Sequence, residues 1–309
     1  MFSDPFKFWF KSYHYMIYHK DFSIVSACPT VFNEDQTVNY DETADILEFL
    51  EKIKIKSTAI LIFGGEYYRL TMDEKKKIIE YLSSSTFWSG EIMVGINDNS
   101  LFAMKELSKV ADKYGVDYLI ISPPQYVPFY KLNKKFVEKF VSQAIEMLDI
   151  PVIFQDTNIP SSYLPDIEFW RRYIYSGKVA GFKIEGRGSV TKMRKIRIAY
   201  PDIPIYGGYL GLDIIRERKA GSNGSIIGSS MPDVVNRMML NGDTADRDKI
   251  REFLKVEVNH LDRFVEIEKY VLKKRGIINN YRCREPCPHL SKILIRRLES
   301  LISVLELYF

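Results

Sequence analysis

The chain has 309 residues, 46% of them hydrophobic and 27% charged, with a formal net charge of +4. That composition suits one large barrel or two smaller domains, and its basic residues are interleaved with acids, as in Glu74-Lys75-Lys76-Lys77 and Arg247-Asp248-Lys249, not gathered into the stripe a nucleic-acid groove needs. Three cysteines, Cys28, Cys283 and Cys287, are too few for a disulfide framework, and no uninterrupted apolar run is long enough for a signal peptide or a spanning helix, so the expectation is a cytoplasmic protein with no membrane and no nucleic-acid partner.

Residues 1–21 form an aromatic extension in which Phe6, Phe8, Trp9, Phe10, Tyr13, Tyr15 and Tyr18 are interrupted by Lys7, Lys11, His14, His19 and Lys20. Aromatic side chains so crowded pack more readily on a protein surface than on a membrane. From residue 22 onward, short β-rich runs alternate with helical patterns. The runs are Ser23–Ala27, Ala59–Phe63, Ile92–Gly95, Tyr118–Ser122, Val152–Gln155, Ala180–Ile184, Ile203–Gly207 and Ser225–Gly228, and their Ile, Val, Leu and aromatic content is that of buried parallel strands. Between them, Ala44-Ile46-Leu47-Phe49-Leu50, Leu101-Met104-Leu107-Val110-Ala111 and Phe136-Phe140-Ala144-Met147 recur at helical period. Thr71 before Met72-Asp73-Glu74 matches a capping box, and Asn99 or Ser100 is placed to cap the next helix. Eight such strands with no G-x-G-x-x-G after the first predict an α/β fold of the (β/α)₈ TIM barrel type over 22–240. After residue 230 the pattern is helical, over Met231–Leu240, Arg247–Leu272 and Leu290–Leu307, and residues 241–309 read as an appended C-terminal helical bundle; Gly276 closes the second stretch.

In such a barrel, chemistry belongs at the C-terminal ends of the strands. The sixth run reads Val179-Ala180-Gly181-Phe182-Lys183-Ile184-Glu185-Gly186. At period two, Ala180, Phe182 and Ile184 share the helix-covered face, which turns Gly181, Lys183 and Glu185 toward the axis. Burial disfavours an ammonium, and the neutral amine it leaves attacks carbonyls; the structural alternative is that Lys183 simply pairs with Glu185 or another inward acid.

Ala27-Cys28-Pro29-Thr30-Val31-Phe32-Asn33-Glu34-Asp35, Gly64-Gly65-Glu66-Tyr67-Tyr68-Arg69-Leu70-Thr71-Met72-Asp73-Glu74-Lys75, Ser122-Pro123-Pro124-Gln125-Tyr126, Asp149–Phe154 and Gly181-Phe182-Lys183 follow one another at sensible spacing. Together with Lys274–Ile278 and Arg284-Glu285-Pro286, this ordered series resembles the dihydrodipicolinate synthase and N-acetylneuraminate lyase family, the pyruvate-type class I aldolases, over roughly residues 22–290. The resemblance implies a homodimer or homotetramer that forms a Schiff base with pyruvate or another 2-oxo acid through Lys183, with no metal or organic cofactor. It further implies that the backbone at Phe63, Gly64 and Gly65 holds the substrate carboxylate, that Tyr126 is the relay tyrosine reaching a neighbouring subunit, and that Gly208 and Ile227 line the pocket.

Where members of that family carry a fifth-strand tyrosine, Phe154-Gln155-Asp156 places Gln155, which cannot act as a general acid near neutral pH; Tyr209, Tyr67, Tyr163 and Asp156 are candidates to replace it. Phe63-Gly64 stand where the family has paired hydroxyls, and Pro160-Ser161-Ser162-Tyr163 lacks the arginine that binds the synthase's second substrate. The expected function is therefore a Schiff-base lyase other than the lysine-biosynthetic synthase, with a dehydratase of a sugar-derived 2-oxo acid, or a catalytically silent ligand-binding relative, as alternatives. Cys283-x-x-x-Cys287-Pro288-His289 has three metal-ligand types but no fourth nearby in sequence, so turn packing is expected there and no metal. Cys28 is expected to pack, and His14, His19, His260 and His289 lie away from the strand ends, which leaves no Ser-His-Asp pair.

Overall fold

A computed structural model describes residues 22–127, 130–156 and 164–306. The aromatic extension, Tyr163 and the Pro160–Ser162 stretch lie outside the described residues. Eight parallel strands close into a barrel in chain order: β1 (Ser23–Ala27), β2 (Ser57–Ile60), β3 (Glu91–Gly95), β4 (Tyr118–Ile121), β5 (Val152–Asp156), β6 (Val179–Ile184), β7 (Ile205–Gly207) and β8 (Gly224–Gly228). The helices between them are α1 (Tyr40–Lys52), α2 (Met72–Ser83), α3 (Leu101–Lys113), α4 (Lys134–Glu146), α5 (Ile167–Tyr175), α6 (Ser189–Ala199) and α7 (Ile214–Lys219). After β8 come α8 (Pro232–Val235) running into a π-turn at Asn236–Leu240, then α9 (Thr244–Asn259), α10 (Phe264–Lys274) and α11 (Lys292–Leu305). The expected barrel with its helical C-terminal region is what the chain forms.

Residue contacts group into two compact units. The first contains residues 96–208 and 216–225 with Phe22 and Ser23. Its packing is anchored by Trp170 on α5, whose indole lies 4.6 Å from the Phe154 ring and 5.1 Å from the Phe182 ring, centroid to centroid. The second contains residues 24–95, 209–215 and 226–309. There α1 turns Ala44, Ile46, Leu47, Phe49 and Leu50 inward, the set its periodicity predicted, and α9 packs against α10 and α11.

Local signals act where the sequence placed them. Thr71 and Glu74 form both halves of the capping box at the start of α2. Ser100, not Asn99, caps α3, while the Asn99 side chain accepts from the Gln125 amide. Gly276 adopts φ 71°, its N–H donating to Lys273 O and that of Ile277 to Leu272 O, which closes α10 in a Schellman turn. Thr71→Ala is expected to cost about 1 kcal/mol, measurable as a lower denaturation midpoint.

Three departures from the expected boundaries have a local cause. The second strand ends at Ile60 and does not reach Phe63, because Leu61 turns to φ 54° and Phe63–Gly65 enter a 3₁₀ turn. The seventh begins at Ile205; Pro204 has no N–H to give a ladder and offers only its carbonyl, to Phe182 N. The single helix expected over Arg247–Leu272 is two, since His260 leaves helical φ/ψ and the chain turns at 260–263. The turn lets α9 keep a solvated side while α10 is buried at every position from Val265 to Leu272.

Candidate active site

Strand β6 is paired with β5 on one side and β7 on the other. Its register sets Lys183 opposite Gln155 and opposite Tyr206, while Phe182 stands opposite Phe154 and Ile205. Neighbours in register on parallel strands project to the same face, and successive residues to opposite faces. Phe154 and Phe182 meet the indole of the covering helix α5, so Gln155, Lys183 and Tyr206 project to the barrel interior. All three are buried.

The interior group is linked by hydrogen bonds and charge. Lys183 Nζ lies 3.1 Å from Glu185 Oε1, with the lysine side chain 7% exposed and the glutamate 14%. The same oxygen accepts from Gln155 Nε2 at 2.6 Å. Gln155 Oε1 is buried and has no hydrogen-bond partner among the described residues. Glu185 Oε2 points into the space above Gly208: a Cβ built there would lie 2.1 Å from it. One residue after Gln155, Asp156 is fully buried and pairs with Lys192 Nζ at 2.5 Å; burial raises its carboxyl above the usual range, with the Lys192 ammonium opposing. Burial likewise pushes the Tyr206 phenol up. The inward ion pair that the sequence offered as the structural alternative for Lys183 is thus formed, and the chemistry of the group turns on what that carboxylate does.

Of the other residues singled out, Tyr126 lies after β4 with its ring edge-on to Tyr130 and Phe136, at 6.2 and 6.0 Å. Nearby, Ser122 Oγ donates to Asn97 Oδ1 at 3.0 Å. Gln155, Lys183 and Gly208 therefore come together around Glu185, and Tyr126 sits in its own aromatic cluster. Phe63, Gly64, Gly65 and Ile227 belong to the second compact unit. Phe63, Gly64 and Gly65 form the 3₁₀ turn after β2, in which the Gly65 amide already donates to Ile62 O, and the Phe63 ring packs edge-on against Tyr67 at 5.4 Å. Ile227 is buried on β8. Cys28 is buried as expected, its thiol pushed up to about 12 by burial.

Glu185 is visible in the sequence only as a partner for Lys183, because the β5–β6 register that joins it to Gln155 is a tertiary fact. Tyr206 is a second interior residue beyond the expected site. The signal for Tyr206 was present, since period-two alternation in Ile205-Tyr206-Gly207 places it inward whenever Ile205 faces out.

The second unit holds a separate charged cluster. Glu66, fully buried at φ 55° between two 3₁₀ turns, accepts from Lys269 Nζ, from Arg69 Nη1 at 2.8 Å and from the Arg284 amide at 3.3 Å. Lys269, also fully buried, lies 4.6 Å above the Phe32 ring, and Arg284 at the same distance from it grips Glu74 with two hydrogen bonds. No helix among the described residues is long and apolar enough to cross a membrane.

The family model described as "Dihydrodipicolinate synthetase family" matches residues 21–305. An "Uncharacterized DapA-like lyase" of Thermococcus onnurineus is 32% identical over 174 residues, 55% of this chain and 56% of that protein, so the match spans little more than half the relative's length. Among solved structures, the dihydrodipicolinate synthase of Rhodopseudomonas palustris superposes with a TM-score of 0.81 at 20% identity, covering 92% of this chain and 98% of the other. YagE of Escherichia coli K12, a member of the same family solved in complex with pyruvate, gives 0.77 at 19% identity, covering 93% and 99%. At these identities the two structures speak for the fold.

Proposed function

Since the chain belongs to the dihydrodipicolinate synthetase family, we propose that it is a lyase that forms a Schiff base with pyruvate or a related 2-oxo acid through Lys183. The observation that carries the reading is a buried, inward lysine amine 3.1 Å from a carboxylate that is itself held by Gln155.

The pair supplies what imine formation needs. An ammonium is not a nucleophile; transfer of its proton to Glu185 gives a neutral amine and a carboxylic acid in a site where separated charges are poorly solvated. The amine nitrogen then bonds to the keto carbon of the substrate as the C=O π bond opens, and a proton passing from that nitrogen to the oxygen makes it a hydroxyl. Protonated by Glu185, that hydroxyl departs as water and leaves the iminium. The iminium then takes up, as an enamine, the electron pair of the C–C bond one carbon further out as it breaks, while the hydroxyl on the far carbon gives its proton to the Glu185 carboxylate and becomes the released carbonyl; the addition retraces these steps. Gln155 cannot donate a proton as a tyrosine would, but its Nε2 orients Glu185 and its buried Oε1 is an acceptor for the carbinolamine hydroxyl. Glu185 thereby takes over the proton transfers that the fifth-strand tyrosine performs in the family pattern.

Backbone groups at Phe63 and Gly64 as the carboxylate-binding element, Gly208 and Ile227 as lining residues, Tyr126 as the relay between subunits of a homodimer or homotetramer, and a cytoplasmic location complete the proposal. Incubation with pyruvate and borohydride is expected to add one reduced pyruvyl group, located at Lys183 by peptide mass spectrometry and absent from Lys183→Ala. Failure of a panel of 2-oxo acids to modify Lys183 would overturn the reading and favour the silent, ligand-binding alternative.

A further inference from the structure

The segment that carries the spacing Cys283-x-x-x-Cys287-Pro288-His289 takes no part in the chemistry above. Cys287, His289 and Glu285 present a thiol sulfur, an imidazole nitrogen and a carboxylate oxygen that all lie within 4.8 Å of one another. Cys287 Sγ is 3.7 Å from His289 Nδ1; sulfur and nitrogen around one tetrahedral zinc stand about 3.6 Å apart, given Zn–S near 2.3 Å and Zn–N near 2.1 Å. Glu285 Oε1 contacts the other ring nitrogen at 2.5 Å, while its Oε2 accepts from the Cys287 amide at 2.9 Å, so the turn holds the carboxylate beside the sulfur.

The objection raised by the sequence was the lack of a further ligand. The fold brings one from α10. Glu266, 1% exposed, sets Oε1 3.3 Å from His289 Nδ1 while its Oε2 accepts from the Leu290 amide at 3.1 Å. Cys287 and Glu266 thus face the same ring nitrogen, where Glu266 fills a further coordination position, while Glu285 on the other nitrogen fixes the imidazole from behind, as outer-shell carboxylates do at zinc sites. Arg282 is the resident competitor, 2.7 Å from Glu266 Oε1, but its side chain is 42% exposed and has solvent to move into. A small open cavity lined in part by Glu266, Cys283 and Cys287 lies beside the group. Thiolate, imidazole and carboxylate together select a borderline-soft divalent ion over calcium or magnesium.

We propose that Cys287, His289 through Nδ1 and Glu266, with Glu285 steadying the imidazole from Nε2, form a zinc-type divalent metal site that ties residues 283–290 to α10. The full chain without any affinity tag, dialysed against micromolar zinc and then zinc-free buffer, is expected to retain about one equivalent by elemental analysis. Cobalt in place of zinc is expected to give a thiolate charge-transfer band and tetrahedral visible absorption, both lost in Cys287→Ser. His289→Ala is expected to abolish retention, and Glu285→Gln to weaken affinity about 10–100-fold, while circular dichroism of each variant stays that of the parent. No zinc retained by the parent chain, or retention unchanged in both Cys287→Ser and His289→Ala, would overturn the site.

Discussion

Glu185→Gln is expected to lower turnover of a 2-oxo acid substrate about 10²–10⁴-fold, the range for removal of a positioned acid–base group. The substitution is nearly isosteric, and the new amide still accepts from Gln155 Nε2 through its oxygen, so the geometry of the two strand ends is retained. What disappears is the ability to take the Lys183 proton and to return it to the leaving hydroxyl. The loss should fall on kcat and on the rate of borohydride trapping, with KM within a few-fold of the parent, because the group acts in the chemical step. Lys183→Ala is the limiting comparison: no adduct at any time, and turnover reduced on the order of 10⁶-fold as when other covalent nucleophiles are removed. If Glu185→Gln trapped pyruvate and turned over at the parent rate, the carboxylate would be a structural counter-ion and the proton donor would have to be sought elsewhere, even with Lys183 still forming the imine.

The second large effect concerns the other charged cluster. Glu66→Ala is expected to destabilise the fold by about 3–5 kcal/mol, the cost of leaving one member of a buried ion pair alone. Lys269 would keep only the Arg282 carbonyl at 3.3 Å and the face of Phe32 at 4.6 Å for its ammonium, and neither replaces a carboxylate. Arg69 would lose its partner as well, but it is partly exposed and has water to turn to. Converting both members, as Glu66→Gln with Lys269→Met, should recover most of the loss, since the cost arises from the unpaired charge and not from the absence of the pair. Urea denaturation of Glu66→Ala and of the double variant measures this; a Glu66→Ala midpoint equal to the parent's would show that the cluster contributes nothing to stability.

The barrel was legible in the sequence because a strand buried on both faces has to be apolar along its length, and eight such runs separated by helical periods leave few alternatives. The inward direction of Lys183 was legible for the same reason: alternation fixed Phe182 outward, and Trp170 now holds it there. Less could be read where distant segments decide. Glu66 and Lys269 are 203 positions apart, and neither lies in a pattern that announces a charge pair. The helix break at His260 carries no Gly or Pro signal; it follows from α10 being enclosed on all sides, a demand made by its surroundings. The end of β2 is hidden in the sequence because Leu61, Ile62 and Phe63 look like strand residues, while a positive φ at Leu61 gives no compositional sign. Gln155 by itself reads as a lost acid, and its link to Glu185 exists only through the pairing of β5 with β6.

Nothing in the backbone at Gly208 demands glycine, since its φ is not positive; what excludes a side chain there is the occupied room, with Glu185 Oε2 2.1 Å from the place a methyl would take. The two positions are thus bound to each other in descent. Any lineage that enlarges residue 208 first displaces the acid, and any lineage that discards the acid is released from keeping 208 small, so among descendants of this chain the two should be inherited together or abandoned together.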